Sequence, residues 1–146
     1  MLLSRTSKYS LQALIYLARL PPGKKVLVRK MAQDLDLPMF FLAKLLQPLI
    51  HAGWLESARG RHGGVCLCEG AGGISLLEIL RLTERNRLQQ ECLLGLKNCE
   101  DASACVMHCQ WKPIKQELNE GFGKHNLATL ASTELPSWLT AIDHSQ

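Results

Sequence analysis

The chain has 146 residues, 47% hydrophobic and 21% charged, with six cysteines and eight aromatic side chains. That is enough for one domain, or a small domain with an appendage, and enough to bury a core without disulfides; the apolar fraction excludes a disordered chain. The formal charge of +4 is uneven: residues 1–65 hold ten basic side chains and three acids, residues 66–146 hold seven and ten, and no cysteine precedes Cys66. A basic, cysteine-free half followed by a mildly acidic, cysteine-bearing half points to a polyanion as the partner of the first.

No run of about 18 apolar residues is present, which excludes a transmembrane helix. The N-terminal stretch is read as an amphipathic helix over residues 6–19 rather than a signal peptide. Gln12 and Arg19 interrupt the apolar run, and Leu11, Leu14, Ile15 and Ala18 keep helical spacing. The chain is therefore expected to be cytoplasmic. In that compartment clustered cysteines signal metal or redox chemistry more than a disulfide framework.

Pro21 to Lys25 reads as a turn, and Arg29 to Leu35 as a short second helix with Met31, Ala32 and Leu35 on one face. Asp36-Leu37-Pro38 breaks it, and Pro38 suits the first turn of a third helix. That helix carries Phe41, Leu42, Leu45, Leu46, Leu49 and Ile50 as an inward stripe and ends at Gly53. Pro48 inside it removes a hydrogen bond and predicts a kink or early loosening. Trp54–Ala58 and Val65–Cys68 read as two strands joined by the turn Arg59-Gly60-Arg61-His62-Gly63-Gly64. A short helix, a turn, a longer helix and then a basic hairpin make a winged helix-turn-helix.

Gly70 to Gly73 is a linker, and Ser75-x-x-Glu78 is a capping box opening a helix to about Leu82. Residues 84–104 read as an irregular loop. A long helix is expected from about Ser103 to Phe122, with Ile114 and Leu118 four apart, then a short helical turn from Asn126 to Ala131; the last dozen residues read as loose. A long amphipathic helix with no further domain to cover it suggests pairing with a second copy. The fold class is mainly α with a small β-hairpin wing: a DNA-binding winged helix-turn-helix over 1–83, then a cysteine-containing loop and dimerisation helix over 84–146.

Cys92-x6-Cys99-x5-Cys105 is followed by His108 and Cys109. Thiolates ligate zinc and iron–sulfur clusters, and imidazole can replace one of them. The run lacks the two closely spaced cysteine pairs of zinc ribbons, whereas three spread cysteines on a loop can wrap one small cluster; the alternative is a loop with free thiols. Cys66 and Cys68 share a face of the second strand, where packing is the plainer reading and redox activity the sharper one.

The chain from residue 1 to about 131 resembles the IscR/NsrR-type family of winged-helix transcription regulators. The carriers are Ser7-Lys8-Tyr9-Ser10-Leu11-Gln12-Ala13-Leu14, Met31-Ala32-Gln33-Asp34-Leu35-Asp36-Leu37-Pro38, Phe41-Leu42, Leu45-Leu46, Ala52-Gly53-Trp54-Leu55, Arg59-Gly60, Gly63-Gly64-Val65, Cys105-x2-His108-x2-Trp111 and Thr129-Leu130. The resemblance implies a homodimer, a winged helix for DNA and, in many members, an iron–sulfur cluster just before the dimer helix. By position the ligands would be Cys92, Cys99 and Cys105, with His108 as the fourth, as in members with a [2Fe–2S] cluster, which is favoured over [4Fe–4S]. Other members take a carboxylate from the first helix, where this chain has Lys8. The first cysteine gap is six residues rather than the usual five, so the loop must bulge, and Cys109 or an external group competes with His108.

Double-stranded DNA with a pseudo-palindromic operator is the expected partner. Met39, Phe40, Lys44 and Gln47 of the third helix would face the major groove, with Gln47 suited to an adenine edge and Lys44 to a guanine or a phosphate. Arg59, Gly60 and Arg61 would place the wing in the flanking minor groove, and Arg5, Lys8, Arg29 and Lys30 would meet phosphates. No nucleophile–base–orienter set or Gly-rich phosphate loop argues for an enzyme. The expected function is transcription regulation that senses iron, redox or nitric oxide status. The alternative is a cluster-free regulator of the same fold that responds to thiol oxidation or a small effector.

Overall fold

A computed structural model describes residues 2–96 and 98–132. The expectation for the last dozen residues lies outside them. The elements are α1 (Arg5–Ala18), α2 (Val28–Asp34), α3 (Met39–His51), β1 (Leu55–Ala58), β2 (Gly64–Leu67), α4 (Leu76–Thr83), α5 (Arg87–Gln90), α6 (His108–Gly123) and α7 (Leu127–Ser132). The architecture is mainly helical with one antiparallel hairpin, as the sequence predicts.

Helix α1 starts where the Ser4 side chain accepts the Ser7 backbone N–H, which satisfies one of the orphan donors of a helix start. Its inner face carries Ala13, Leu14 and Leu17 into the core, beside Met31 of α2 and Leu42, Leu46 and Leu49 of α3. The turn into α3 closes through the Leu37 N–H on the Ala32 carbonyl at 2.9 Å. Asp36 takes a φ of 53° there, a left-handed conformation that short polar side chains tolerate.

Helix α3 runs through Pro48 to His51 rather than loosening at the proline. Pro48 is exposed, so its ring sits on the solvent side and the missing bond is the one to the Lys44 carbonyl. Gly53 then ends the helix with a φ of 77°, while the Trp54 N–H bonds the Leu49 carbonyl at 3.1 Å and the Gly53 N–H bonds that of Ile50 at 3.0 Å. These paired reverse bonds form a Schellman motif, which calls for a residue free to adopt positive φ.

In the wing, Leu55 pairs with Leu67, Glu56 with Cys66, Ser57 with Val65 and Ala58 with Gly64. A third backbone segment joins this hairpin. Val26 and Val65 exchange two hydrogen bonds, of 2.9 and 2.8 Å, and fasten the wing to the chain entering α2.

Helix α4 opens with the predicted capping box: the Ser75 hydroxyl accepts the Glu78 N–H, and the Glu78 carboxylate accepts the Ser75 N–H. Ser75 also bridges Asn126, with the Leu76 N–H on the His125 carbonyl at 2.8 Å and the Leu127 N–H on the Ile74 carbonyl at 2.9 Å. That short ladder returns the chain to the N-terminal core. There α7 packs on α1 and Leu127 is fully buried.

Two expectations for the second half shift. The segment 84–104 contains the short helix α5 and a bridge between Glu91 and Asn98. The long helix begins at His108 rather than near Ser103, because Asp101–Ser103 forms a separate 3-10 turn and Ala104 is extended with ψ 126°. Helix α6 packs on α4 and α5 and buries Lys115, whose Nζ donates to the Gln89 carbonyl at 2.9 Å. Its outward side leaves Ile114 exposed. Among the described residues no helix is long and apolar enough to cross a membrane.

Candidate DNA reader and cysteine site

The helix-turn-helix leaves Met39, Phe40, Lys44 and Gln47 exposed on α3, and the wing tip exposes Arg59, Gly60 and Arg61. Arg5 and Arg29 are also exposed, and Lys8 is half-buried. Lys30 is exposed but engaged: its Nζ pairs with Asp34 at 2.6 Å, and the same carboxylate accepts the Tyr16 hydroxyl at 2.6 Å. Burial and the Asp34 carboxylate both push the Tyr16 hydroxyl up, so it stays a donor. Asp34 thus joins α2 to α1 through Tyr16, Lys30 is held beside it by an ion pair one turn back on the same helix, and Arg29 is the more available cation.

The cysteines come together through backbone turns. The Gly95 N–H bonds the Cys92 carbonyl at 2.9 Å, and the Cys99 N–H bonds that of Gln90 at 2.7 Å. Gly95 has a φ of 69°, and an isolated bridge pairs Glu91 with Asn98. Downstream, the His108 N–H bonds the Cys105 carbonyl at 3.0 Å. The outcome is two pairs of donors. Cys92 Sγ lies 3.4 Å from Cys105 Sγ, and Cys99 Sγ lies 3.5 Å from His108 Nδ1. Cys92 and His108 are buried, whereas Cys109 is exposed. Among the described residues no three His, Cys, Asp or Glu side chains converge to hold a single metal ion.

Sequence reasoning missed Asp101. Its carboxylate accepts from His108 Nε2 at 2.8 Å and from Lys112 Nζ at 2.8 Å. The hydrogen bond from Lys112, and after it that from His108, holds the Asp101 carboxyl below its ordinary range, and the same pairing raises Lys112. An ionised Asp101 fixes the proton on Nε2 and turns the Nδ1 lone pair toward Cys99. Asp101 stands on a turn and carries no periodic signal. The one clue in the sequence is Lys112, one helical turn beyond His108.

A second polar network ties the end of α4 to α1. The buried Glu84 carboxylate accepts the Ser4 N–H at 2.7 Å, and the Ser7 hydroxyl donates to that of Thr83 at 2.7 Å. Burial alone would raise Glu84, but hydrogen bonds from Ser7 and Ser4 outweigh it and hold the carboxyl low.

Cys66 is buried and Cys68 half-buried, and both line an open groove of about 690 Å³ between the wing and the turn after α1. Burial, followed by the charges of Glu56 and Cys66, pushes the Cys68 thiol up. That favours a protonated, packed side chain over a reactive thiolate.

Residues 3–133 match the family model of Rrf2, described as an iron-dependent transcriptional regulator. This chain belongs to the Rrf2 family. It is 32% identical over 121 residues to the HTH-type transcriptional regulator NsrR of Bacillus subtilis, covering 82% of this chain and 78% of the relative. It is 30% identical over 128 residues to NsrR of Bacillus licheniformis, covering 86% and 83%. Among solved structures it is similar to CymR, the global cysteine regulator of B. subtilis, with a TM-score of 0.75, 26% identity and coverage of 90% and 98%. The fold is also that of T. potens IscR, with a TM-score of 0.68 and 22% identity over 93% and 94% of the two chains. The Rrf2 chain is therefore a winged-helix transcriptional regulator, and its relatives are regulators rather than enzymes.

Proposed function

We propose that the protein is a homodimeric, cytoplasmic regulator that binds pseudo-palindromic DNA and reports iron, redox or nitric oxide status through an iron–sulfur cluster held by Cys92, Cys99, Cys105 and His108. The observation that carries this reading is the pairing of the four donors. A tetrahedral metal bound about 2.3 Å from sulfur and 2.1 Å from nitrogen has ligand edges of about 3.8 Å between sulfurs and 3.6 Å between sulfur and nitrogen. The two pairs, at 3.4 and 3.5 Å, come near those edges. Two donor pairs suit a dinuclear [2Fe–2S] cluster, with two protein ligands to each iron, better than a mononuclear site or a [4Fe–4S] cube. Asp101 supports the set from behind, as a carboxylate that orients a ligating imidazole.

When bound, the cluster supplies redox and ligand-exchange chemistry; the chain does the rest. Residues 92–108 lead straight into α6, so any rearrangement of the donor pairs moves the start of that helix. Leu93, Leu94, Leu96 and Val106 of the loop and Ile114 of α6 are exposed and offer apolar surface for a second copy. A shift there alters the spacing of two readers (residues 1–83) relative to two sensors (84–146). On DNA, α3 occupies the major groove through Met39, Phe40, Lys44 and Gln47, while Arg59, Gly60 and Arg61 reach the minor groove. Arg5, Lys8 and Arg29 meet phosphates, with Lys30 secondary because of its Asp34 partner.

The proximity of Cys92 and Cys105 also favours one second reading, regulation by thiol oxidation without a cluster. There a peroxide would take two electrons and the two thiol protons, be reduced to water and leave a Cys92–Cys105 disulfide. Purification without air, iron and sulfide analysis, and DNA binding by holo and apo protein separate the two. Coloured protein whose DNA affinity changes on cluster loss supports the first reading. Colourless protein after anaerobic reconstitution, with DNA affinity unchanged when Cys92, Cys99 and Cys105 become alanine, refutes it.

A further inference from the structure

Phe40 is 80% exposed and Met39 43% exposed in the first turn of α3. This is an unusual place for large apolar side chains, and the interior does not account for them. The seats beneath are taken by Leu42, which is fully buried, and by Phe41, which packs edge-on against Tyr9 at 5.7 Å. Neither Met39 nor Phe40 carries a hydrogen-bonding side-chain group of the kind that reads a base edge. Pro38, the residue capping this helix, has no N–H to offer.

We propose that Phe40, with Met39 beside it, reads the C5-methyl group of thymine in the major groove; this rests on the DNA-binding reading above. The N-terminal residues of a recognition helix are those that meet base edges. The thymine methyl is the one apolar group that base edges present there. A phenyl ring against it gains by burial, where an amide or a guanidinium would need a polar partner. The surroundings favour nucleic acid over an apolar protein surface or a second copy. From α2 to the wing, the exposed cations Arg29, Lys30, Lys44, Arg59 and Arg61 outnumber the exposed acids Asp36 and Glu56. Two such faces would repel each other, while a phosphate backbone would draw both the charges and the knob they surround. Lys44 and Gln47 stand one and two turns further along α3, about 6 and 10 Å away, so hydrogen-bonded readout falls on different base pairs from thymine readout.

The test uses the full chain and an operator selected from random duplexes at fixed salt. Each thymine of the operator is replaced in turn by uracil, which deletes the methyl and leaves every hydrogen-bonding group in place. The wild-type protein is expected to bind about fourfold more weakly for each contacted methyl lost, the worth of about one buried methyl group. Phe40→Ala is expected to bind the thymine and uracil duplexes equally at those positions while keeping its salt dependence. Phe40 is a surface residue, and thermal melting of the variant confirms that the comparison is between folded proteins. A flat uracil scan with the wild type, or discrimination that survives in both Phe40→Ala and Met39→Ala, overturns the inference and leaves DNA binding standing. Absence of any salt-sensitive duplex binding overturns the functional reading and the inference together.

Discussion

Gly64→Ala tests whether the wing is held by its contact with the segment entering α2. Gly64 has a φ of +129°, and a Cβ built on it would lie 2.5 Å from the Val26 carbonyl oxygen and 2.6 Å from its carbonyl carbon. Both atoms are backbone, so no rotamer change relieves the clash. Strain at such a φ costs about 1–2 kcal/mol. Pushing the strands apart forfeits the two Val26–Val65 hydrogen bonds, at about 1 kcal/mol each. The sum is about 3–4 kcal/mol, which for a chain of this size lowers the melting temperature by on the order of 10 °C. Gly60→Ala is the internal control. Gly60 also has a positive φ, +96°, but nothing lies within 4 Å of its added Cβ, so only backbone strain of about 1–2 kcal/mol remains. Thermal unfolding followed by circular dichroism compares the two. A Gly64→Ala protein melting within about 3 °C of wild type, or a Gly60→Ala protein as destabilised as Gly64→Ala, would refute the reasoning.

Removing Arg59 and Arg61 together is expected to weaken DNA binding and to reduce the slope of log affinity against log salt by about two; an unchanged slope would place the wing off the phosphates. Asp101→Ala frees His108 Nε2 and is expected to speed iron loss to a chelator, with affinity for the metal down about 10–100-fold; equal release rates would show that Asp101 does not position the ligand. For Glu84 the folded carboxyl titrates lower than the unfolded one. Its stabilisation is therefore complete above the unfolded value of about 4.3 and is lost as pH falls below that toward the folded value. Glu84→Gln is expected to flatten this acid-side loss in denaturant titrations run at several pH values, and a variant with the wild-type slope would contradict the sign.

Local signals carried most of residues 1–83. The Ser75–Glu78 capping box, the Gly53 helix stop, the period-four apolar stripe of α3 and the basic turn between two short strands are each written within a few neighbouring residues, and the structure forms each of them. The part after residue 83 was less legible. Helix α5 has four residues, too short to show a period, and the start of α6 depends on a 3-10 turn with no residue signature of its own. The cysteine spacing pointed to a ligand set, but spacing is a one-dimensional quantity and does not say which donors meet.

By itself the sequence determined the winged helix-turn-helix, because helix periodicity, caps and turn residues act over short distances and the chain itself sets the succession of elements. It also marked the charge division and the four candidate donors by residue type. Only the tertiary structure decided that Val26 fastens the wing, that Leu127 returns to the core of α1, that Asp34 of α2 takes the Tyr16 hydroxyl of α1 and that Asp101 grips His108. Each of these joins residues through contacts that local periodicity does not encode. They form because burying apolar surface brings distant segments together, and the polar groups carried with them must then find partners.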